Sequence, residues 1–189
     1  MFDECLYLKN WMNQYSGRWW IAGGWAVDLH IGEQTREHKD IEIAIFREDQ
    51  RLLLPQLSGW EAVYMKDKSP VPWDKEQWLS PPLHEIHAFS GEGMEIEFLL
   101  NEKKHDRWKF RRNEKITFPI TRMNLQSEQG IPYLNPEIVL LHKAKHTRER
   151  DLEDFDNIFV YLNEHQKEWL KQSLMHHHPH HQWLERLLY

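Results

Sequence analysis

Apolar positions recur at helical spacing at the start of the chain. In DECLYLKNWMNQY, residues 3–15, Leu6, Leu8, Trp11 and Met12 share a face, which predicts an amphipathic helix. Arg18 to Ala22 is a short apolar run that reads as a strand, and it stops at Gly23-Gly24. Trp25 to Ile31 reads as a helix with Gly32 as its C-cap. From Ile41 to Phe46 the pattern changes to period two: Ile41, Ile43 and Ile45 face a core, while Asp40 and Glu42 share the opposite face.

Further on, residues 48–56 (EDQRLLLPQ) predict a flanking helix that ends near Pro55. Residues 60–65, 84–89 and 94–100 predict strands, the last two joined by a hairpin loop at Ser90-Gly91-Glu92-Gly93. Residues 116–120 and 131–134 predict short strands with a turn at Gly130. Asn135-Pro136-Glu137 marks a helix start, with a capping residue, proline at the first helical position and an acid for the dipole. That helix is expected to run through His142 and Lys143 to Arg148. Three more helices are expected over 152–162, 164–174 and 180–188. The whole predicts an α/β (α+β) protein: a mixed sheet flanked by helices over residues 1–134, then a helical lobe over 135–189.

Residues 66–82 hold four prolines and little periodicity, which predicts a surface loop with one turn near Lys75 to Leu79. Trp73 and Trp78 within it either wall a pocket or belong to a tolerated insertion.

Composition narrows the class of partner. Net charge is −6 with 29% charged residues, and the chain lacks the basic face that a phosphate backbone requires. No stretch reaches the ~20 apolar residues that span a bilayer, and no secretory segment opens the chain. The single cysteine, Cys5, excludes an internal disulfide and fits a cytoplasmic protein.

The candidate chemistry begins with Asp40 and Glu42. Two acids on one strand face repel each other, and a divalent cation between them relieves that cost; Mg²⁺ prefers such oxygen ligands together with phosphates. Gly23 and Gly24 either allow a tight turn alone or bring a helix N-terminus against an anion. On the strand 94–100, Glu95 and Glu97 share a face. His84 and His87 on the neighbouring strand read as packed residues. Arg107, Lys109, Arg111 and Arg112 form the one basic run, which reads either as a solvated face or as a phosphate contact. Residues 176–181, HHHPHH, could take up a transition metal adventitiously but show no pattern of a specific zinc site.

The stretch GGWAVDLHIGEQTREHKDIEIAIFRED resembles the signature of the nucleotidyltransferase superfamily, in the branch of the aminoglycoside and lincosamide antibiotic nucleotidyltransferases. It carries the Gly-Gly turn at Gly23 and Gly24, Thr-Arg-x-His at Thr35 to His38, and Asp-x-Glu at Asp40 and Glu42. IPYLNPEIVLLHKAK followed by RDLEDFDNI resembles the same family further on. The resemblance implies a nucleotidyltransferase-like sheet lobe followed by helices. It also implies a magnesium-dependent enzyme, with two Mg²⁺ per site, that moves a nucleoside monophosphate from a nucleoside triphosphate to a small hydroxylated acceptor such as an aminoglycoside or lincosamide. Asp40, Glu42 and Glu97 would hold metal and carry catalysis, with Glu95 the alternative third carboxylate. Gly23, Gly24, Arg36 and Lys143 would bind the nucleotide. Arg150 stands where the family has a second lysine, and Asp151 and Asp154 read as braces for the following helix. The alternative reading is a non-catalytic or protein-modifying, antitoxin-like nucleotide-binding protein of the same fold. Nucleic acid and membrane are not expected partners, and the oligomeric state stays open.

Overall fold

The strand expected to bear the acids forms as β2 (Ile41–Phe46), inside the sheet rather than at its edge. Five of its six residues are buried, with Glu42 half-buried. That near-continuous burial is what an interior strand covered on both faces requires. The structure, a computed structural model, describes residues 2–67 and 69–188. Position 68 of the expected loop and the outermost positions of the two expected lobes, 1 and 189, lie outside the described residues.

Ahead of β2 come α1 (Asp3–Trp11), β1 (Trp19–Ile21) and α2 (Gly23–Ile31). After it come β3 (Glu61–Lys66), β4 (Ser69–Pro72), β5 (Glu85–Phe89), β6 (Glu95–Lys104), β7 (Arg107–Lys109) and β8 (Thr117–Pro119). Four helices follow: α3 (Pro136–Lys143), α4 (Glu149–Ile158), α5 (Glu164–His177) and α6 (Leu184–Leu187). Among the described residues the strands make one eight-stranded mixed sheet in the order β1-β2-β6-β5-β3-β4, with β7 on β6 and β8 on β7. β2 and β6 are parallel; the other pairs are antiparallel. In β6, Ile96, Phe98 and Leu100 are buried while Glu95, Glu97 and Leu99 take the other face. The parallel register sets Ile41, Ile43 and Ile45 beside Ile96, Phe98 and Leu100, so one apolar layer crosses both strands. A single hydrophobic cluster runs from Phe2 through these strands to Ile138, Leu170 and Leu187. The expected boundary between residues 134 and 135 falls at the N-cap of α3.

Several local expectations change. Residues 47–53 form a 3₁₀ helix instead of an α-helix, held by buried Gln50, whose amide bonds both the N–H and the carbonyl of Leu79. Within 66–82 the chain forms β4 on β3, Trp73 is buried, and Trp78 is 42% exposed; neither lines the site. Residues 131–134 make only two isolated bridges, Pro132 to Gln126 and Tyr133 to Ile21. α3 ends at Lys143, five residues before the expected Arg148, because Asp151 caps a separate helix: its carboxylate accepts from the Arg148 N–H at 3.0 Å. The basic run divides. Trp108, fully buried, anchors β7 through its Nε1 on Asn101 at 2.9 Å, so Arg107 and Lys109 face outward while Arg111 and Arg112 follow beyond the strand.

Candidate active site

The β2–β6 register aligns Glu42 with Glu97 on adjacent parallel strands. Strands lie about 4.8 Å apart, so the two carboxylates are forced together on the face away from the apolar layer. Burial pushes Glu97 up to about 8, helped by the charges of Glu42, Glu85 and Asp40. Burial also raises Glu42, with Lys143 opposing and Asp40 adding to the rise. Asp40 sits exposed in the bend before β2 and lines the same chamber as Glu42 and Glu97, a cavity of about 240 Å³. Glu95 is exposed and lines neither this chamber nor its neighbour.

The glycine corner is shaped by these side chains. Gly23 has φ +61°, and a Cβ there would lie 1.4 Å from Oε2 of Glu42. At Gly24 a Cβ would lie 2.3 Å from Nη2 of Arg36 and 2.5 Å from the His38 ring. Gly23 is therefore required by close approach and by backbone conformation at once, while at Gly24 only the close approach of Arg36 and His38 argues against a side chain.

Thr35, Arg36 and His38 serve the same corner. Thr35 Oγ1 donates to Asp28 Oδ1 at 2.6 Å, and His38 Nε2 lies 2.6 Å from Asp28 Oδ2. Arg36 Nη1 lies 3.0 Å from His38 Nδ1. Arginine only donates, so Nδ1 accepts, and the network assigns the imidazole proton to Nε2, facing the buried Asp28. Arg36 also places Nε and Nη2 on Asp154 at 2.8 and 3.0 Å. Lys143 Nζ meets Asp151 and Asp154 at 2.9 and 2.8 Å. Burial raises both aspartates, but hydrogen bonds from Arg148 and Lys143 to Asp151, and from Arg36 and Lys143 to Asp154, outweigh it and hold them below the usual carboxylate range. These aspartates thus fix the cations in place. An ammonium has three donors, and Lys143 retains one beyond this brace.

A second chamber, about 190 Å³, adjoins the first. Gly23 lines it; Glu42, Glu97, Lys143 and Arg148 line both. Arg148 and Glu85 escaped sequence reasoning. Glu85 had a signal: it precedes His87 by two on β5, which pairs His87 with Glu97. One donor atom each from Glu85, His87 and Glu97 lies within 4.8 Å of the others. The residues of the first chamber fit a hard divalent cation: they are three carboxylates with two neighbouring acids held unfavourably close without one. The histidine cluster does not form such a set among the described residues; His177 packs on Phe110 and His181 contacts Thr147 at 3.0 Å.

Comparison with known proteins agrees with this architecture. A model of the aminoglycoside-2''-adenylyltransferase family matches residues 6–158. A lincosamide resistance protein of Staphylococcus haemolyticus is 40% identical over 40 residues, a stretch covering 21% of this chain and 25% of that protein. The lincomycin-bound structure of the lincosamide antibiotic adenylyltransferase LnuA superposes with a TM-score of 0.60 at 18% identity, over 86% of this chain and 98% of that one. ANT(2'')-Ia in complex with adenylyl-2''-tobramycin gives a TM-score of 0.64 at 12% identity, over 92% and 98%. The fold is that of the nucleotidyltransferases, and the family match places the chain among nucleotidyltransferase enzymes. Within that class, the chain belongs to the aminoglycoside-2''-adenylyltransferase family.

Proposed function

We propose that the protein transfers a nucleoside monophosphate, AMP from ATP, to a hydroxyl of a small molecule, with Mg²⁺ held by Asp40, Glu42 and Glu97. The observation that carries this reading is the in-register pair Glu42–Glu97 beside Gly23, with Asp40 and Lys143 on the same chamber. Bound divalent cations would supply charge neutralisation and alignment of the triphosphate. Glu97, its carboxylate kept ionised by a bound cation, would accept the acceptor's hydroxyl proton. The hydroxyl oxygen then bonds to the α-phosphorus, the bond from that phosphorus to the bridging oxygen breaks, and pyrophosphate leaves. Lys143 and Arg148 would balance the charge gathering on the pyrophosphate. Gly23 and Gly24 would let the N-terminus of α2 approach the phosphates, and Arg36, lining the same chamber, would contribute both bracing and charge.

The named relatives make aminoglycosides and lincosamides the first acceptors to assay. No helix among the described residues is long and apolar enough to cross a membrane, and a cytoplasmic location is part of the same proposal. The test is transfer from α-labelled ATP with Mg²⁺ across a panel of hydroxylated acceptors. Asp40→Asn, Glu42→Gln and Glu97→Gln should each lower the rate by about 100-fold or more while the fold persists. An unchanged rate in Asp40→Asn overturns the reading. So does the absence of any thermal stabilisation by a nucleoside triphosphate with Mg²⁺.

A further inference from the structure

β5 and β6 put four polar side chains on the sheet face that carries the carboxylates. His87 stands opposite Glu97 in the antiparallel register, Glu85 precedes His87 by two, and Glu95 precedes Glu97 by two. Residues two apart on a strand share a face, so all four point the same way. The transferase reading uses only Glu97 among them.

One donor atom each from Glu85, His87 and Glu97 lies within 4.8 Å of the other two. Nε2 of His87 is 4.0 Å from Oε2 of Glu85, beyond hydrogen-bond reach. It is shut off from solvent and has no hydrogen-bond partner among the described residues. A buried polar atom is ordinarily satisfied, and a bare one calls for a water, an ion or a chemical role. The ring's other nitrogen, Nδ1, lies 3.7 Å from Oε1 of Glu95. That nearer carboxylate favours the tautomer with the proton on Nδ1 and leaves the Nε2 lone pair free. A carboxylate behind one imidazole nitrogen is how metal-binding histidines are oriented. Arg111 approaches the other oxygen of Glu85, Oε1, at 3.8 Å, so Oε2 is the one beside His87.

Two carboxylates balance a divalent charge, and Glu42 on the same chamber adds to the attraction. The imidazole then selects among cations. A nitrogen donor suits a borderline transition ion, whereas Mg²⁺ takes oxygen ligands in near-ideal octahedra. Bonds of about 2.0–2.2 Å draw donors to roughly 3.5 Å from one another. Rotation of the half-buried glutamate side chains covers that distance.

We propose that Glu85, His87 through Nε2, and Glu97 form a nitrogen-containing metal site for a borderline divalent transition ion such as Zn²⁺ or Co²⁺, with Glu95 as the positioning residue behind His87. The site goes beyond the transferase reading and stands on strand geometry. Sharing Glu97 sets its ion beside the position assigned to Mg²⁺.

Full-length protein freed of metal with EDTA is titrated with Zn²⁺ by calorimetry. The expected result is a site that survives His176→Gln/His180→Gln, which removes the two exposed histidines of the histidine tract. His87→Gln and Glu85→Gln should each weaken it by about tenfold or more, and Glu95→Gln by about tenfold. Asp40→Asn should change it by less than about threefold. Co²⁺ in the site should give visible absorption bands that vanish in His87→Gln. In Glu95→Gln the bands should shift while the metal-free urea midpoint stays put. Glu85→Gln, at a side chain 35% exposed, decides the matter if His87→Gln does not fold. The proposal is overturned if no such site is found, or if Zn²⁺ affinity is unchanged in His87→Gln or Glu85→Gln. Loss of binding in His176→Gln/His180→Gln also overturns it, since the metal would then belong to the tract. So does a tenfold loss in Asp40→Asn, which would assign the ion to the Mg²⁺ position. An unshifted Co²⁺ spectrum in Glu95→Gln overturns the role given to Glu95. If ATP with Mg²⁺ fails to stabilise the protein, the transferase reading fails alone and the Zn²⁺ titration still decides this one.

Discussion

Oε2 of Glu42 occupies the space in which a side chain at Gly23 would begin, 1.4 Å from the position of its Cβ. The glycine and the carboxylate therefore specify each other. Gly23→Ala should destabilise through both the positive φ and the overlap, by about 2–4 kcal/mol in urea unfolding. Combined with Glu42→Ala the overlap vanishes, and the glycine substitution should then cost only the conformational part, about 1–2 kcal/mol. Equal costs in both backgrounds would mean that the two residues do not share this space.

The crowding of Glu42 and Glu97 sets a pH dependence. Between its ordinary value of 4.5 and its folded value of about 8, Glu97 keeps a proton only in the folded chain. The folded state thus binds more protons, and stability falls as pH rises through this window, by at most about 1.4 kcal/mol per pH unit. Glu42 is shifted the same way. Below 6.5 the lowered histidines His84 and His142 act oppositely, because the unfolded chain takes up protons that they refuse. In EDTA, denaturation should therefore show stability falling from pH 6.5 to 8. Glu97→Gln should make that slope shallower, and Mg²⁺ should raise stability most at pH 8.

How far the sequence leads depends on the range of the physics. The alternation of Ile41, Ile43 and Ile45 is local, and it placed Glu42 correctly on the site face of β2, with Asp40 in the bend just before the strand. The resemblance asked for a third acid and favoured Glu97, while period two left Glu95 on the same face; the β2–β6 register sets Glu97 beside Glu42, with Glu95 outside both chambers. β4 was hidden by Pro70 and Pro72, which an edge strand tolerates. β7 was hidden because two of its three residues are charged and only Trp108 is buried. Arg148, Glu85 and the Arg111–Arg112 pair come from separate segments, and no short-range pattern brings them to one cavity.

Asp154 is fully buried and receives Arg36 and Lys143 together. Removing its charge leaves two cations short of compensation inside the protein. Asp154→Asn should cost about 3–5 kcal/mol. Asp156, two residues on, pairs with Arg186 at the surface with 64% of its side chain exposed. Asp156→Asn should stay within about 0.5 kcal/mol. Comparable losses for the two would contradict the brace.

The tryptophans of residues 66–82 separate packing from site. Trp73 is 5% exposed and its Nε1 donates to the Gln77 carbonyl at 2.9 Å, pinning the turn that Lys75 ties to the carbonyls of Leu57 and Trp60. Trp73→Ala should remove about 3–5 kcal/mol of stability through the cavity it leaves and the carbonyl it abandons. Trp78 is half-exposed beneath the Arg51 guanidinium, 5.9 Å from its ring, and lines neither chamber. Trp78→Ala should cost under about 1 kcal/mol and change kcat/KM for transfer by less than about twofold. A selective rise in KM for the acceptor in Trp78→Ala, with stability intact, would instead bring this segment into the substrate's path.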